Sequence, residues 1–216
     1  MHLRAHAFLF DLDGTLINSI AAVNRVWGAW GQRHGIPWET LKNVIHGRRA
    51  LDTMQALAPH LAQPEEADRL TAAEIADTEG VVPIPGAIAF LHHLPPERWA
   101  IVTSCTPALA AARMRAAGIP EPRVLITAAD IIHGKPAPDG FLLAAERLGF
   151  RPEDCLVFED AQAGIEAGQR AGMQVLAITA THEHAKVQIS SMPDYSQTSV
   201  QIFDDGLTLY VSGDRR

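Results

Sequence analysis

Residues 7–15 read Ala-Phe-Leu-Phe-Asp-Leu-Asp-Gly-Thr, a short apolar run that ends in two acidic residues and a glycine. Four apolar residues in succession predict a strand buried on both faces, as in a parallel sheet. Side chains two residues apart in extended backbone point the same way, so Asp11 and Asp13 can face one site. The stretch therefore predicts a pair of carboxylates at the carboxyl end of a buried strand.

Helical and strand-like patterns alternate downstream of residue 83. Apolar, strand-like runs lie at 99–102, 124–127, 155–158 and 175–178, and helical patterns precede them at 86–94, 107–117, 138–148 and 163–171. Such alternation is typical of α/β proteins with a parallel sheet and helices on both faces. We expect a Rossmann-like, doubly wound parallel sheet that binds its ligand beyond the carboxyl ends of the strands. A closing hairpin is predicted for 199–210.

The segment between the first strand and this alternating region carries only helical patterns. Apolar residues follow helical spacing within 18–35, and similar patterns run through 41–45, 51–58 and 64–78. No strand is predicted between 17 and 80, and 190–201 is expected to be a loop. We therefore predict a helical cap, residues 17–82, inserted into an α/β core formed by 1–16 and 83–216.

The composition restricts the classes of function. The chain has 216 residues, of which 47% are hydrophobic, and a formal net charge of −7. This length fits one large domain or a domain with an insertion. The negative charge and the lack of basic clusters argue against nucleic-acid binding. No segment resembles a signal peptide or reaches the ~18 apolar residues of a membrane span, so we expect a cytoplasmic monomer without a nucleic-acid or membrane partner.

Cysteine and histidine give no indication of a metal or redox motif. Cys105 and Cys155 form no CxxC pair, and neither is followed by the arginine that a cysteine nucleophile needs to grip a phosphate. The histidine pairs His92-His93 and His182/His184 have no evident third ligand and are interpreted as surface residues. The carboxylates therefore remain as the candidate reactive groups.

The two carboxylates after the first strand suit phosphoryl transfer. Crowded carboxylates raise each other's pKa unless a cation lies between them, and Mg²⁺ prefers oxygen ligands. One carboxylate can then attack phosphorus, while the other protonates the leaving oxygen and later deprotonates water. Gly14 permits close approach of the backbone to a phosphate. A solvated turn is the alternative explanation of this stretch taken alone.

Three further polar groups follow predicted strands or precede predicted helices. Thr103 and Ser104 end a strand, where their hydroxyls and amides can bind phosphate oxygens at a helix N-terminus. Lys135 precedes a helix and can offset charge on a phosphoryl group. Glu159-Asp160 ends another strand and suits Mg²⁺ coordination. Each also has an ordinary explanation, as a helix cap or a loop lysine, but their order at successive strand ends favours one site.

This order resembles the haloacid dehalogenase superfamily of phosphotransferases, through Asp-Leu-Asp-Gly-Thr, Gly-Lys-Pro-Ala-Pro-Asp and Glu-Asp. The resemblance covers the chain to about residue 180. It implies that Asp11 is the nucleophile and a metal ligand, and that Asp13 is the general acid/base, giving its backbone carbonyl to Mg²⁺. It further implies that Thr103 and Ser104 bind the phosphoryl group, that Lys135 offsets its charge, and that Asp160 and Glu159 hold Mg²⁺, Glu159 directly or through water.

Within that superfamily the chain looks like the sugar-phosphate and glycerol-phosphate phosphatases of the β-phosphoglucomutase-like subgroup, which carry a helical cap. Residues 45–49, Ile-His-Gly-Arg-Arg, resemble their substrate-facing loop. The resemblance implies that Gly47 with Arg48 or Arg49 reaches the substrate. Asn18 departs from the pattern, because many relatives carry a second acid there. The expected partner is a small phosphate ester.

Three alternatives remain at this point. Sugar phosphomutases of the family carry a cap histidine where this chain has Val23, which favours hydrolysis over isomerisation. Family dehalogenases lack the second aspartate, which is present here as Asp13. A phospho-receiver domain also uses Asp, Thr or Ser, Lys and Mg²⁺ on a doubly wound sheet, but receivers are much shorter and have no helical insertion.

Overall fold

The computed structural model describes residues 1–181 and 189–212. His182 and His184 lie outside the described residues, as does the end of the predicted core after 212. In the described part of the chain, the strands are β1 His2–Ala5, β2 Ala7–Phe10, β3 Ile17–Asn18, β4 Val82–Pro83, β5 Trp99–Val102, β6 Leu125–Ile126, β7 Cys155–Glu159, β8 Gln174–Ile178, β9 Ser191–Met192, β10 Thr198–Phe203 and β11 Gly206–Val211. The helices are α1 Ile20–His34, α2 Trp38–Leu41, α3 Ala50–Leu57, α4 Pro64–Ala76, α5 Ala87–His93, α6 Pro107–Ala117, α7 Asp139–Leu148 and α8 Gln162–Arg170.

Six of the described strands form one parallel sheet in the order β6-β5-β2-β7-β8-β9. β2 lies between β5 and β7, with Leu9 paired to Ala100 on one side and to Val157 on the other. Every residue of β2 is fully buried, as expected for a central strand covered on both faces. The strand that carries the acidic pair is therefore at the centre of the sheet.

Alternation along β2 divides the core between the two faces of the sheet. Phe8 and Phe10 pack on one face with Phe90 of α5 and Leu109 of α6. Leu9 packs on the other face in the cluster that contains α7 and α8 residues. Helices thus cover both faces, which confirms the predicted α/β class with a doubly wound parallel sheet.

The four helices from α1 to α4 bury a hydrophobic cluster of their own, which contains Trp27, Trp30, Leu41, Met54 and Leu70. The chain enters and leaves this helical segment through β3 and β4, which pair antiparallel. The prediction of no strand between 17 and 80 was wrong, because a two-residue strand is too short to show a period. The predicted helix at 41–45 is also displaced: α2 begins at Trp38, directly after Pro37, and ends at Leu41.

A second described sheet, β1-β11-β10, contains the predicted closing hairpin, in which β10 and β11 flank the turn at Asp204-Asp205. β1 was not predicted, because its alternation of exposed His2 and Arg4 with more buried Leu3 and Ala5 covers too few residues to stand out. β9 was not predicted either: it lies within 190–201, the stretch expected to be a loop, and pairs parallel with β8. None of the helices in the described ranges is long and apolar enough to cross a membrane.

Candidate active site

The candidate site lies where β2, β5 and β7 end side by side. Asp11 follows β2, Thr103 follows β5, and Glu159 and Asp160 close β7. Because adjacent parallel strands end at the same edge of the sheet, residues far apart in sequence meet there. All four side chains are buried, although three of them are acidic. Buried carboxylates require compensating partners.

Lys135 supplies the positive charge at this edge. Its Nζ lies 2.5 Å from Asp11 Oδ1 and 2.6 Å from Glu159 Oε1, and it also donates to the carbonyl of Val102 at 3.3 Å. The ammonium group lies 5.2 Å from the centre of the Phe141 ring at the start of α7. Lys135 is therefore fixed between two carboxylates and is nearly excluded from solvent.

The carboxyl oxygens of Asp11, Glu159 and Asp160 lie within 4.8 Å of one another. Three buried carboxyl groups around one ammonium leave an excess of negative charge, which a divalent cation with oxygen ligands can offset. Glu159 is heavily used by the protein itself, since Oε2 accepts the backbone N–H groups of Asp160 and Ala161 at 2.8 and 2.9 Å. The donor set of three buried carboxyl groups therefore fits Mg²⁺.

The pKa shifts reflect this crowding. Burial raises the pKa of Asp11 to about 7, against the opposing effect of Lys135 and with the help of Glu159 and Asp13. Burial and the charges of Glu159 and Asp11 raise the pKa of Asp160 well above its ordinary value. Burial acts to lower the pKa of Lys135, but Asp11 and Glu159 outweigh it and the pKa is raised. Lys135 therefore stays charged, and its single positive charge is shared among the negative charges of the buried carboxylates.

Asp13 is turned away from this cluster. Its Oδ1 accepts a hydrogen bond from Ser19 Oγ at 2.7 Å and lies 3.0 Å from Arg113 Nη1, and its Oδ2 accepts from Cys105 Sγ at 3.0 Å. The carboxylate is half-buried and faces the cavity described below. Asp11 and Asp13 thus border one site but have separate sets of partners.

Arg113 and Glu74 are site residues that the sequence interpretation missed. Arg113 of α6 is buried and its Nη2 donates to Glu74 Oε1 of α4 at 2.9 Å. Burial raises the pKa of Glu74 against the opposing charge of Arg113. A signal existed in each helix: Arg113 falls on the buried stripe with Leu109 and Ala110, and Glu74 follows buried Leu70 by one turn.

Thr103 and Gly14, two of the predicted phosphate-binding residues, lie at this edge of the sheet. Thr103 is buried and its Oγ1 accepts the backbone N–H of Cys105 at 3.1 Å, just before α6 begins. Gly14 has a φ of +93°, and an added Cβ would lie 1.8 Å from Asp160 Oδ2. No side chain fits at that position, so the backbone of the Asp-Leu-Asp-Gly turn is in direct contact with the acidic cluster.

A cavity of about 480 Å³ opens above these residues. Its walls come from both the sheet edge and the helical segment, and include Asp11, Asp13, Thr103, Arg113, Val23, Trp27, Ile45, His46, Gly47, Arg48, Thr71 and Glu74. The volume suits a small metabolite and the walls mix apolar with polar groups. The cavity brings the predicted loop at 45–49 over the predicted reactive carboxylates.

Gly47 makes the closest approach of that loop to the sheet. Its φ is +75°, and an added Cβ would lie 2.5 Å from the Cβ of Ala161. Ser104 Oγ donates to the carbonyl of Gly47 at 3.1 Å. Ser104 therefore holds the loop rather than pointing freely at a phosphate, and the glycine is required by both conformation and space.

The two loop arginines differ in their contacts. Arg49 pairs with Asp52 through Nε at 2.7 Å and Nη2 at 3.1 Å, and Nη1 donates to the carbonyl of Ile132 at 3.0 Å. Arg48 lines the cavity and makes no ion pair or hydrogen bond to another described residue. The cavity thus contains one uncommitted loop cation, while Arg49 joins the loop to the segment before Lys135.

Comparisons with known proteins agree with this arrangement. A family model for haloacid dehalogenase-like hydrolases matches residues 5–172. Hexitol phosphatase A of Escherichia coli is 44% identical over 186 residues, covering 82% of this chain and 85% of that protein. Glycerol-1-phosphate phosphohydrolase 2 of Saccharomyces cerevisiae is 34% identical over 197 residues, covering 85% of this chain and 78% of that protein.

A solved hydrolase from Pseudomonas syringae superposes with a TM-score of 0.76 at 25% identity, covering 88% of this chain and 94% of its own. The match to the family model spans the acidic pair, the helical segment, Lys135 and Glu159-Asp160 together. These findings confirm the resemblance inferred from the motifs. The chain belongs to the family of haloacid dehalogenase-like hydrolases.

Proposed function

We propose that this chain is a Mg²⁺-dependent phosphatase of sugar or polyol phosphates that forms an aspartyl-phosphate on Asp11. The observation that carries the proposal is the buried cluster of Asp11, Lys135, Glu159 and Asp160, open on one side to a cavity of metabolite size. The enzyme class follows from the family and from relatives that are phosphatases of hexitol and glycerol phosphates. The chain is thus a phosphoric monoester hydrolase.

Asp11 is the nucleophile in this proposal. Its Oδ1 is paired with Lys135, which leaves Oδ2 to attack phosphorus. Lys135 keeps its charge and offsets the negative charge shared by the carboxylate and the phosphoryl group. Thr103 and the backbone at Gly14 surround the same position and are proposed to bind phosphoryl oxygens. As the Oδ2–phosphorus bond forms, the bond from phosphorus to the ester oxygen breaks.

Asp13 is the general acid and base. Its carboxylate borders the cavity and has a set of hydrogen-bond partners separate from that of Asp11. From this position it can exchange protons with the leaving alcohol and then with water. In the first step it gives its proton to the ester oxygen. In the second step it takes a proton from the attacking water, whose oxygen bonds to phosphorus as the bond from phosphorus to Asp11 Oδ2 breaks. The Asp11 carboxylate is thereby regenerated and inorganic phosphate is released.

Asp11 and Asp160 would hold Mg²⁺ through carboxylate oxygens, and Asp13 through its backbone carbonyl. Glu159 would contact the ion directly or through water, and its oxygens also accept hydrogen bonds from Lys135 and from the backbone of Asp160. When bound, the ion supplies positive charge that offsets the phosphoryl group and the surrounding carboxylates. Burial raises the pKa of Asp11, and a bound cation would act in the opposite direction by favouring its charged form.

The helical segment selects the substrate in this proposal. We retain residues 17–82 as a cap domain and 1–16 with 83–216 as the core, supported by the separate hydrophobic cluster of α1–α4. Arg48 is proposed to contact the substrate, with Gly47 giving its loop the necessary approach. Val23 lines the cavity with an apolar side chain, where sugar phosphomutases of the family carry a cap histidine. This favours hydrolysis over isomerisation.

We also retain a cytoplasmic monomer without a nucleic-acid or membrane partner as part of the proposal. The net charge of −7 argues against a nucleic-acid partner, because nucleic-acid binding relies on a basic surface. The similarity to phosphatases of hexitol and glycerol phosphates supports the compartment. Sedimentation of the purified protein tests the monomer.

The proposal is tested by measuring phosphate release from hexitol, hexose, deoxysugar and glycerol phosphates, with Mg²⁺ and with a chelator in its place. Metal-dependent release concentrated on a few sugar or polyol phosphates is expected. Interconversion of sugar-phosphate isomers without net phosphate release would replace the phosphatase with a mutase. Release that persists undiminished in chelator would refute the role of the metal.

A further inference from the structure

We propose that Arg113 is a positioning residue for Asp13 and that Glu74 of α4 fixes Arg113 in place. The inference rests on the proposed function, in which Asp13 is the acid and base. It assigns a role to a buried arginine and a buried glutamate that are not part of the acidic cluster at Asp11.

The contacts of the guanidinium are divided between two carboxylates. Nη1 lies 3.0 Å from Asp13 Oδ1 and Nη2 lies 2.9 Å from Glu74 Oε1. Arginine presents its donors in a rigid plane, so fixing one nitrogen on Glu74 determines where the other points. The Arg113 and Glu74 side chains are 5% and 7% exposed, so solvent does little to weaken these interactions.

Asp13 is held from several sides at once. Ser19 Oγ, at the entry to α1, donates to the same Oδ1 that Arg113 contacts, and Cys105 Sγ donates to Oδ2. Arg113 Nη1 also lies 3.4 Å from that sulfur. The carboxylate therefore has a fixed orientation toward the cavity, and Arg113 contributes the only formal positive charge among these contacts of described residues.

Arg113 also lies where the helical segment meets the sheet. Helix α6 packs against α4 and against both connecting strands, β3 and β4. Through its two ion pairs, the Arg113 side chain consequently links Asp13, in the turn after β2, to Glu74 in the helical segment. The placement of the proposed acid is thus coupled to the seating of α4 on the core.

This role makes a specific chemical demand. When the ester bond breaks, the electron pair goes to the leaving oxygen, and Asp13 must place a proton there unless the leaving group is stable as an anion. Arg113 keeps its own proton and exchanges none. Loss of Arg113 should therefore slow the release of poor leaving groups and scarcely affect good ones.

The test uses a series of substituted phenyl phosphates, which vary the leaving-group pKa at nearly constant size. The measured quantity is kcat/KM, which reports the steps up to release of the phenol. The first variant, Arg113→Lys, keeps the positive charge but loses the planar pair of donor nitrogens that contacts Asp13 and Glu74. The second combines Arg113→Met with Glu74→Met and so removes both buried charges together. Arg115→Met, an exposed arginine on the same helix, is the control.

We expect the plot of log kcat/KM against leaving-group pKa to become steeper in the double variant. Phenyl phosphate should lose about 100-fold, the 4-nitrophenyl ester less than about threefold, and Arg113→Lys should lie between wild type and the double variant. Arg115→Met should follow the wild-type line. If the double variant does not fold, Arg113→Lys decides the outcome.

Parallel lines would overturn the inference, because a role in folding or in substrate binding lowers every ester alike. An unchanged line would overturn it as well. A wild-type enzyme that releases no phosphate from any ester would instead refute the proposed function, and the positioning role with it. The two failures are therefore distinguishable.

Discussion

Lys135 Nζ lies 2.5 Å from Asp11 Oδ1, although the two residues are 124 positions apart, and both side chains are nearly excluded from solvent. The same nitrogen contacts Glu159, so one cation serves two buried carboxylates. A buried ion pair that loses one partner leaves an uncompensated charge, which is more costly than losing both. The site should therefore respond strongly to changes in either its lysine or its metal.

Replacing Lys135 by Met should reduce kcat by at least about 100-fold, because the phosphoryl group and Asp11 lose their fixed positive charge. The unfolding free energy should fall by about 3–5 kcal/mol, since the carboxylates remain buried without it. Steady-state phosphate release and chemical denaturation measure the two effects. Lys42→Met, at an exposed ion pair with Glu39, should change neither. Unchanged kcat in Lys135→Met would show that Lys135 has no catalytic role.

Asp11→Asn should abolish turnover and leave the fold intact, because the amide cannot attack phosphorus. The metal-free variant should melt at the same temperature as wild type or higher, since burial disfavours the charged carboxylate that it replaces. Phosphate release and circular dichroism on melting measure both. Retained turnover would rule out covalent catalysis by Asp11.

Stability without metal should fall as the pH rises. The pKa of Asp11 is about 7 in the folded state against an ordinary 3.8, so this carboxyl contributes stability that is fully present below its unfolded pKa and lost as pH rises through about 7. Asp160 shifts in the same direction. Mg²⁺ should therefore raise the melting temperature more at pH about 8 than at about 5.5, where protons compete. Thermal melts with Mg²⁺ and with chelator check this; an equal metal effect at both pH values would contradict it.

Gly47→Ala should impair catalysis beyond its effect on stability. The new Cβ would lie 2.5 Å from Ala161 Cβ, so the loop must withdraw from the sheet edge. Gly35→Ala is a matched control, because Gly35 also has positive φ, +68°, but its Cβ would meet no atom within 4 Å. Both should destabilise by about 1 kcal/mol through backbone strain. Only Gly47→Ala should raise KM, and equal kinetics for both variants would exclude a role for the loop's approach.

The loop arginines should separate in their effects. Arg48→Met should raise KM about tenfold or more for the preferred phosphate ester, since the uncommitted cation faces the cavity. Arg49→Met breaks the contacts to Asp52 and Ile132 and should lower stability with a smaller change in KM. Kinetics and thermal melts of the two variants distinguish them. The reverse ranking would transfer the substrate contact to Arg49.

Local sequence patterns were enough to predict the parallel sheet and the meeting of Asp11, Thr103, Glu159 and Asp160 at one edge, whereas Lys135, which ends no strand, was assigned to the site through its motif. Buried strands are continuous apolar runs, and polar groups at the ends of parallel strands converge on one edge, so local patterns were sufficient. The roles of these residues remain predictions until they are measured. The connecting strands β3 and β4 could not be predicted, because two residues are too few to show a strand period.

The partners that each charged group takes depend on tertiary packing and could not be predicted from local patterns. Arg113 and Glu74 are 39 residues apart on different helices, and nothing in either helix indicates that their buried stripes face one another. Likewise, Arg48 and Arg49 are adjacent and chemically identical. Packing alone pairs Arg49 with Asp52 and leaves Arg48 at the cavity. Long-range charge pairing depends on how helices pack against the sheet, and that geometry is not contained in any local pattern.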